Sequence, residues 1–224
     1  LQRRLMPILM SLAEERMASD SPGEVYDALK SYLILGGEGP EQSEHVMAWV
    51  PRAWLARAGG NESEAGDLAT HTAALFDIGF TPQGIDVARK ENARRILRAQ
   101  PPAVRVYGRL KSEALASGER QWTARENAGP RPELLFAQSG AFAPSAGVPA
   151  LFTRNGYDNI FLPIVERGPE LLEDEVWVVG DSASETLTPN QIAQLRSDLE
   201  RLYFDDFLDH WNTYLGLIEL RPVN

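Results

Sequence analysis

The segment GVPALFTRNGYDNIFLP, residues 147–163, decides the fold predicted for this chain. A loop containing glycine and proline leads into the densest group of aromatic and aliphatic residues in the sequence, and Asn155 with Gly156 is typical of a turn. Apolar residues then recur at spacings of three and four, which predicts one face of a helix that Pro163 kinks or interrupts. We therefore expect a buried anchor here and not a reaction site.

On either side of this segment the sequence predicts helices. Residues 1–116 form a succession of helical patterns with short connections. Residues 21–24 and 188–191 each combine a hydroxyl residue, a proline and a Glu or Gln, which predicts a capping box at a helix start. The second of these patterns opens the last long helix, 188–214. We expect the structural core to include Trp49, Trp54, Tyr107, Phe152, Gly156, Tyr157, Phe161, Trp177, Tyr203 and Trp211.

The periodicity changes between residues 118 and 146, where short apolar runs alternate with turn residues. The predicted fold is therefore mainly α, a multi-helix module with a small β insertion or short strands near residues 119–150 and a strand at the C-terminus, 217–220. Residues 176–179 fit a helix or a strand. We place a subdomain boundary at this change, with a helical subdomain 1–118 and a helical subdomain with a small β element 119–224.

The composition narrows the function classes. Apolar residues make up 43% of the 224, enough for a substantial core, and 32 acidic against 22 basic residues give a net charge of -10. An acidic chain argues against nucleic acid as a partner, because phosphate binding needs concentrated positive charge. No apolar run approaches the roughly 20 residues of a membrane helix. We expect a soluble segment without a membrane span, and Leu1 in place of Met indicates a fragment of a larger protein.

One stretch is basic although the chain as a whole is acidic. Residues 89–111 contain eight basic residues and one acidic residue. An RNA or lipid patch is one interpretation, but the acidic composition elsewhere favours a face complementary to another copy or another part of an assembly. The acidic residues 166–175 would be its counterpart, and the carboxylates at 173–175 are expected on a solvated helix face. The candidate interaction face consists of Arg94, Arg98, Arg105 and Arg109.

A hydrolase is one catalytic hypothesis. Gly180, Asp181 and Ser182 follow an apolar run and resemble the nucleophile block of the SGNH hydrolases, with Ser182 as nucleophile. Such an enzyme also needs a late Asp-x-x-His, and His210 has Phe207 at the position of the aspartate. The pattern therefore favours a chain that is not an enzyme.

Metal chemistry is the other hypothesis. Asp206 and His210 lie four residues apart on a predicted helix and could chelate an ion. The remaining histidines, His45 and His71, have no ligand cluster beside them, and the absence of cysteine excludes disulfides and thiolate metal sites. We expect no catalytic residue, no metal site and no cofactor.

Several phrases of the sequence, taken in order, are similar to the periplasmic region of the IcmF-type, TssM-like proteins of the bacterial type VI secretion system. The similarity covers nearly the whole chain, with a loose match at 35–46. It is carried by residues 21–33, the pair Trp49 and Trp54, residues 102–111, 147–163, 175–180 and 201–211.

This resemblance implies a helical periplasmic scaffold segment of an inner-membrane protein, a structural component of the secretion system's membrane core complex. The implied partners are other TssM-like copies, a TssJ-like outer-membrane lipoprotein and a TssL-like inner-membrane protein, in part through regions outside this segment. Where the family carries a phosphate-binding loop, it lies in a cytoplasmic portion. Two alternatives stay open: an SGNH-like hydrolase that uses Ser182, and a cytoplasmic helical adaptor that binds a peptide in a groove.

Overall fold

Helices dominate the computed structural model, which describes residues 1–40, 42–57, 59–116, 120–127, 129, 146–180 and 187–219. The prediction of a mainly α fold is confirmed. In these ranges no helix combines the length and the apolar character needed to cross a bilayer. The α-helices are α1 (Gln2–Arg16), α2 (Pro22–Leu35), α3 (Ser43–Leu55), α4 (Glu62–Asp77), α5 (Val87–Arg98), α6 (Pro102–Ala116), α7 (Ala124–Asn127), α8 (Arg154–Gly156), α9 (Leu162–Val179) and α10 (Pro189–Leu215).

The helices form two compact units. The first comprises Leu1–Arg109 and Glu170–Thr186, and the second comprises Leu110–Pro169 and Leu187–Asn224. Helices α6 and α9 contribute residues to both units. The subdomain boundary between residues 118 and 119 stays a prediction.

The first unit is built around α2. Eleven of its 14 residues are buried, because α1, α3 and α5 all pack on it. Its start is close to α6, since a Cβ built on Gly23 would lie 2.3 Å from the carbonyl oxygen of Gly108. The capping box predicted at residues 21–24 is wrong. Ser21 makes no side-chain cap, and Glu24 instead accepts hydrogen bonds from Arg16 and Ser19.

The second unit is organised by the 27-residue α10. Its predicted capping box is present: the Thr188 hydroxyl accepts from the backbone N–H of Gln191, whose side-chain oxygen accepts from the Thr188 N–H. The buried side of α10 includes Leu199 and Tyr203 and packs on the segment 147–163.

The segment 147–163 forms a nearly continuous helical path. A 3-10 turn, Ala150–Phe152, is followed by α8, capped by Thr153, then by a π-helical turn, Tyr157–Phe161, and then by α9. Pro163 does not interrupt the helix, because the wider π turn directly precedes it. The turn predicted at Asn155 and Gly156 is also wrong, since Gly156 has helical φ and ψ of -63° and -40°.

The β elements are not found among the described residues. Trp122 and Val148 form an isolated antiparallel bridge through two hydrogen bonds of 2.8 Å, but no strand extends from it. Residues 176–179 belong to helix α9, and Leu217 lies in a turn after α10. Residues 130–145 and 220–224 lie outside the described residues, and so do the parts of the predicted strands that fall on them.

Candidate functional site

The first pair of the predicted interaction face lies on α5. Arg94 donates from Nε to the carbonyl oxygen of Val178 at 3.0 Å and from a terminal nitrogen to that of Trp177 at 3.1 Å. These last carbonyls form the negative end of the α9 helix dipole, where a cation is stabilising. Arg94 therefore acts as a C-terminal cap of α9. Arg98 is more exposed, at 39%, and binds Glu91 at 3.0 Å. The hydrogen bond and charge of Arg94, together with Arg98, lower the pKa of Glu91.

The second pair, on α6, encloses a buried carboxylate. The Glu175 side chain is only 2% exposed, and its two oxygens lie 3.1 Å from Nε of Arg105 and 3.5 Å from a terminal nitrogen of Arg109. Arg105 also donates to the carbonyl oxygen of Gln100 at 2.9 Å. The guanidinium of Arg109 lies 4.4 Å from the ring centroid of Tyr26, in cation–π geometry.

These contacts differ from those expected for the predicted interaction face. For Arg105 and Arg109 the acidic counterpart is Glu175 of the same chain, so the contact expected between copies is made within one molecule. Glu175 itself was expected on a solvated helix face, and that interpretation is wrong. The missed signal is its position: residue 175 falls at helical spacing among Leu171, Leu172 and Val178, on the apolar side of α9. A carboxylate there needs a buried cation.

The predicted core residues of the first unit differ in burial. Trp49 and Tyr107 are buried, with 4% and 6% of their surface exposed. Trp54 and Trp177 are partly buried and pack against the apolar core. The indole of Trp177 also fills the space beside Gly39, where an added Cβ would lie 2.3 Å from the ring.

Aromatic rings form a column along α10 in the second unit. Phe161 stacks on Tyr203 with ring centroids 4.2 Å apart, and Tyr157 lies 5.4 Å from the same ring. The Tyr203 hydroxyl donates to the carbonyl oxygen of Leu151 at 3.0 Å, and burial raises the pKa of Tyr203 to about 12. Further along, Trp211 donates to the carbonyl oxygen of Phe152 at 2.8 Å. These bonds fix α10 to the segment 147–163.

His210 belongs to this packing. Its ring stacks on Phe152 with centroids 4.4 Å apart, and burial lowers the pKa of His210. Asp206, one turn earlier, binds the Lys111 ammonium at 2.6 Å. Among the described residues, no three His, Asp or Glu side chains are placed to hold one metal ion. Ser182, the hypothetical nucleophile, lies outside the described residues.

His45 is the most strongly perturbed histidine in the described part of the chain. Its Nε2 lies 3.2 Å from the carbonyl oxygen of Asp27, and because a carbonyl only accepts, Nε2 carries the proton. Burial, with the positive charges of Lys30, Arg52 and Arg109, lowers the pKa of His45 to about 4. The imidazole is therefore neutral at pH 7 and acts as a structural donor.

An apolar stripe remains uncovered on α10. Phe204, Leu208 and Leu215 are 45%, 54% and 53% exposed, and they recur at spacings of four and seven along one helix. This spacing places them on one side, next to the buried side marked by Tyr203 and Tyr214. Large apolar side chains gathered on one exposed surface are typical of a protein contact surface.

Comparison with known proteins gives two matches. The whole chain, residues 1–224, matches the family described as IcmF-related, intracellular multiplication and human macrophage-killing. A curated protein of Pseudomonas aeruginosa strain PAO1, the type VI secretion system component TssM1, is 28% identical over 221 residues, which cover 97% of this chain and 20% of that protein. The chain thus spans about a fifth of the length of this relative. No solved structure matches the chain.

Proposed function

The chain belongs to the IcmF-related family, and from that premise we propose that it is a scaffold segment of a TssM-like component of a type VI secretion system. The observation that carries the proposal is the match of all 224 residues to the family, together with the similarity to TssM1. In this role the segment is periplasmic, non-catalytic and part of a protein anchored in the inner membrane. Its partners are other TssM-like copies, a TssJ-like lipoprotein and a TssL-like inner-membrane protein.

Rigidity within each unit supports a scaffold role. In the first unit, Arg94 joins α5 to the end of α9, and Glu175 joins α9 to two arginines of α6. In the second unit, Tyr203 and Trp211 bind backbone carbonyls of the segment 147–163. A segment that transmits position through an assembly needs connections of this kind, because each unit must keep its shape under load.

The exposed stripe on α10 supports a contact with another protein of the assembly. With Arg105 and Arg109 engaged by Glu175, we place the contact surface on Phe204, Leu208 and Leu215. Arg98 remains a candidate contact residue, because 39% of its side chain is exposed.

Location can be tested by cysteine labelling, because the chain contains no cysteine. Arg154, 94% exposed, is replaced by cysteine in the full-length protein, in a background without other cysteines. We expect a membrane-impermeant maleimide to label intact cells after the outer membrane is made permeable. The matched control is a cysteine in the cytoplasmic portion. Labelling only after lysis of the inner membrane would contradict a periplasmic segment.

The contact surface can be tested by substitution in the same full-length protein. Leu208→Ser is expected to lower the recovery of the lipoprotein and of other copies with the purified membrane complex, and to lower secretion. Its fold should not change, because Leu208 is 54% exposed. Ile78→Ser, at a residue that is 70% exposed after α4, is the matched control. If both variants assemble like the wild type, α10 does not provide the contact.

A further inference from the structure

A cleft in the second unit is lined by two tryptophans and several polar side chains. Its volume is about 490 Å³, and its walls carry two indole rings, Trp122 and Trp211, surrounded by amide and guanidinium groups. This volume lies within the range of small-molecule sites, roughly 300–1,000 Å³. None of these residues belongs to the α10 stripe or to the Glu175 cluster.

The two indoles are held in different ways. The Trp211 Nε1 donates to the carbonyl oxygen of Phe152 at 2.8 Å. Trp122 is bonded to Val148 through its backbone, by two hydrogen bonds of 2.8 Å, and its ring packs on Tyr214 with centroids 5.7 Å apart. The ring centroids of the two indoles lie 5.0 Å apart at an interplanar angle of 52°, so the pair forms a tilted aromatic wall. An aromatic surface fixed before the ligand arrives loses little conformational entropy on binding.

The polar groups of the cleft are planar and have bonding capacity to spare. The Asn155 side-chain oxygen accepts from Asn159 at 2.7 Å, which leaves its two N–H donors unused by that bond. Asn127 donates to the carbonyl oxygen of Thr123 at 2.8 Å, which leaves its side-chain oxygen as an acceptor. Arg154 is 94% exposed and contacts Asp158 only at 3.6 Å. None of these side chains is buried in the fold.

We propose that this cleft binds an acidic oligosaccharide, a short sugar chain that carries a carboxylate. A sugar ring presents a C–H face that packs on an indole and hydroxyl groups around its edge that pair with planar amides. Of the two arginines in the cleft, Arg120 is paired with Glu126, whereas Arg154 is 94% exposed and lies 3.6 Å from Asp158, beyond hydrogen-bond distance. Arg154 is therefore the guanidinium that can bind a carboxylate bidentately, which favours a carboxylated sugar over a neutral one.

A peptide fits the cleft less well. Addition of a peptide strand requires an unpaired backbone edge, but Trp122 and Val148 already use their N–H and C=O groups on each other. An amphipathic helix requires a continuous apolar groove, whereas polar side chains surround these two indoles. A proline-rich peptide, which docks on aromatic residues, is the rival that the experiment must separate.

The test compares two disaccharides that differ in one group. N-acetylglucosaminyl-N-acetylmuramic acid carries a lactyl carboxylate, and diacetylchitobiose has the same ring type without it. Each is titrated into the 224-residue chain by calorimetry, with tryptophan fluorescence as a second readout. We expect the carboxylated sugar to bind about tenfold more tightly, because a charge-assisted hydrogen bond contributes that much.

Two arginine variants locate the binding site. Arg154→Ala should reduce affinity for the carboxylated sugar about tenfold, to the level of the neutral one. Arg201→Ala is the matched control, since Arg201 is also exposed and also pairs with an aspartate four residues later, at 3.7 Å, but lies outside the cleft. Its affinity should be unchanged.

Three results would overturn the proposal. The first is no binding of either sugar at millimolar concentration, with the chain folded by circular dichroism. The second is equal loss of affinity in both arginine variants, which would indicate nonspecific charge attraction. The third is a proline-rich peptide that binds with dependence on Trp122 while neither sugar competes with it.

Discussion

Replacing Gly156 with alanine is expected to destabilise the second unit, although glycine to alanine in a helix ordinarily stabilises by about 1 kcal/mol. A Cβ at this position would lie 2.1 Å from the carbonyl oxygen of Ala150 and 2.4 Å from that of Leu151. Real Cβ contacts below 3.0 Å are essentially never observed, so the backbone would have to move by about 1 Å. Since backbone cannot move aside as a side chain can, we expect a net loss near the upper end of overpacking, about 3 kcal/mol.

Thermal unfolding followed by near-ultraviolet circular dichroism measures this loss. For a chain of this length about 3 kcal/mol corresponds to a decrease in Tm of roughly 6–12 °C. Gly66→Ala is the control, because Gly66 is exposed within α4 and has no atom within 4 Å of the added Cβ. That variant should be more stable by about 0.5–1 kcal/mol. If Gly156→Ala were as stable as the wild type, the close approach of the 3-10 turn to α8 would be refuted.

Three further predictions concern charge and capping. Glu175→Ala should lower the free energy of unfolding, measured by denaturant titration, by about 3–5 kcal/mol, because it leaves two guanidiniums without their buried partner. Asp205→Ala, at an exposed ion pair, is the control and should lower it by less than about 1 kcal/mol. Thr188→Ala should cost about 1 kcal/mol through loss of the cap, with helix loss measured by far-ultraviolet circular dichroism. The pKa of His45 is about 4 in the folded state and 6.5 in the unfolded state, so the unfolded state binds a proton first as the pH falls. The free energy of unfolding of the wild type should therefore decrease by about 3 kcal/mol between pH 6.5 and pH 4. This pH-dependent decrease should vanish in His45→Gln and persist in the control His71→Gln, at an exposed histidine. Equal pH profiles of stability for the wild type and His45→Gln would contradict the prediction.

Local patterns in the sequence predicted the helices well where the signal lies within one turn. The capping box at Thr188 formed, and its partner is only three residues away. The same pattern at Ser21 failed because Arg16, from the preceding helix, engages Glu24. A capping pattern therefore predicts a helix start, but tertiary contacts decide which hydrogen bonds form.

The candidate site was harder to predict, because its partners are distant in sequence. Arg105 and Glu175 are 70 residues apart, and neither composition nor periodicity specifies that pair. Asn155 and Gly156 suggested a turn, whereas the structure needs glycine because the carbonyls of residues 150 and 151 approach it. Steric requirements of this kind arise only when the chain is folded.

The π-helical turn Tyr157–Phe161 sets a limit on length variation in this segment. A π turn holds one residue more than an α turn. Deleting one residue there would place Pro163 within an ordinary α-helix, where its ring meets the carbonyl oxygen four positions earlier. It would also rotate Phe161 by about 100° relative to α8, away from the Tyr203 ring. Relatives are therefore expected to differ here by substitution, while insertions and deletions collect elsewhere in the chain.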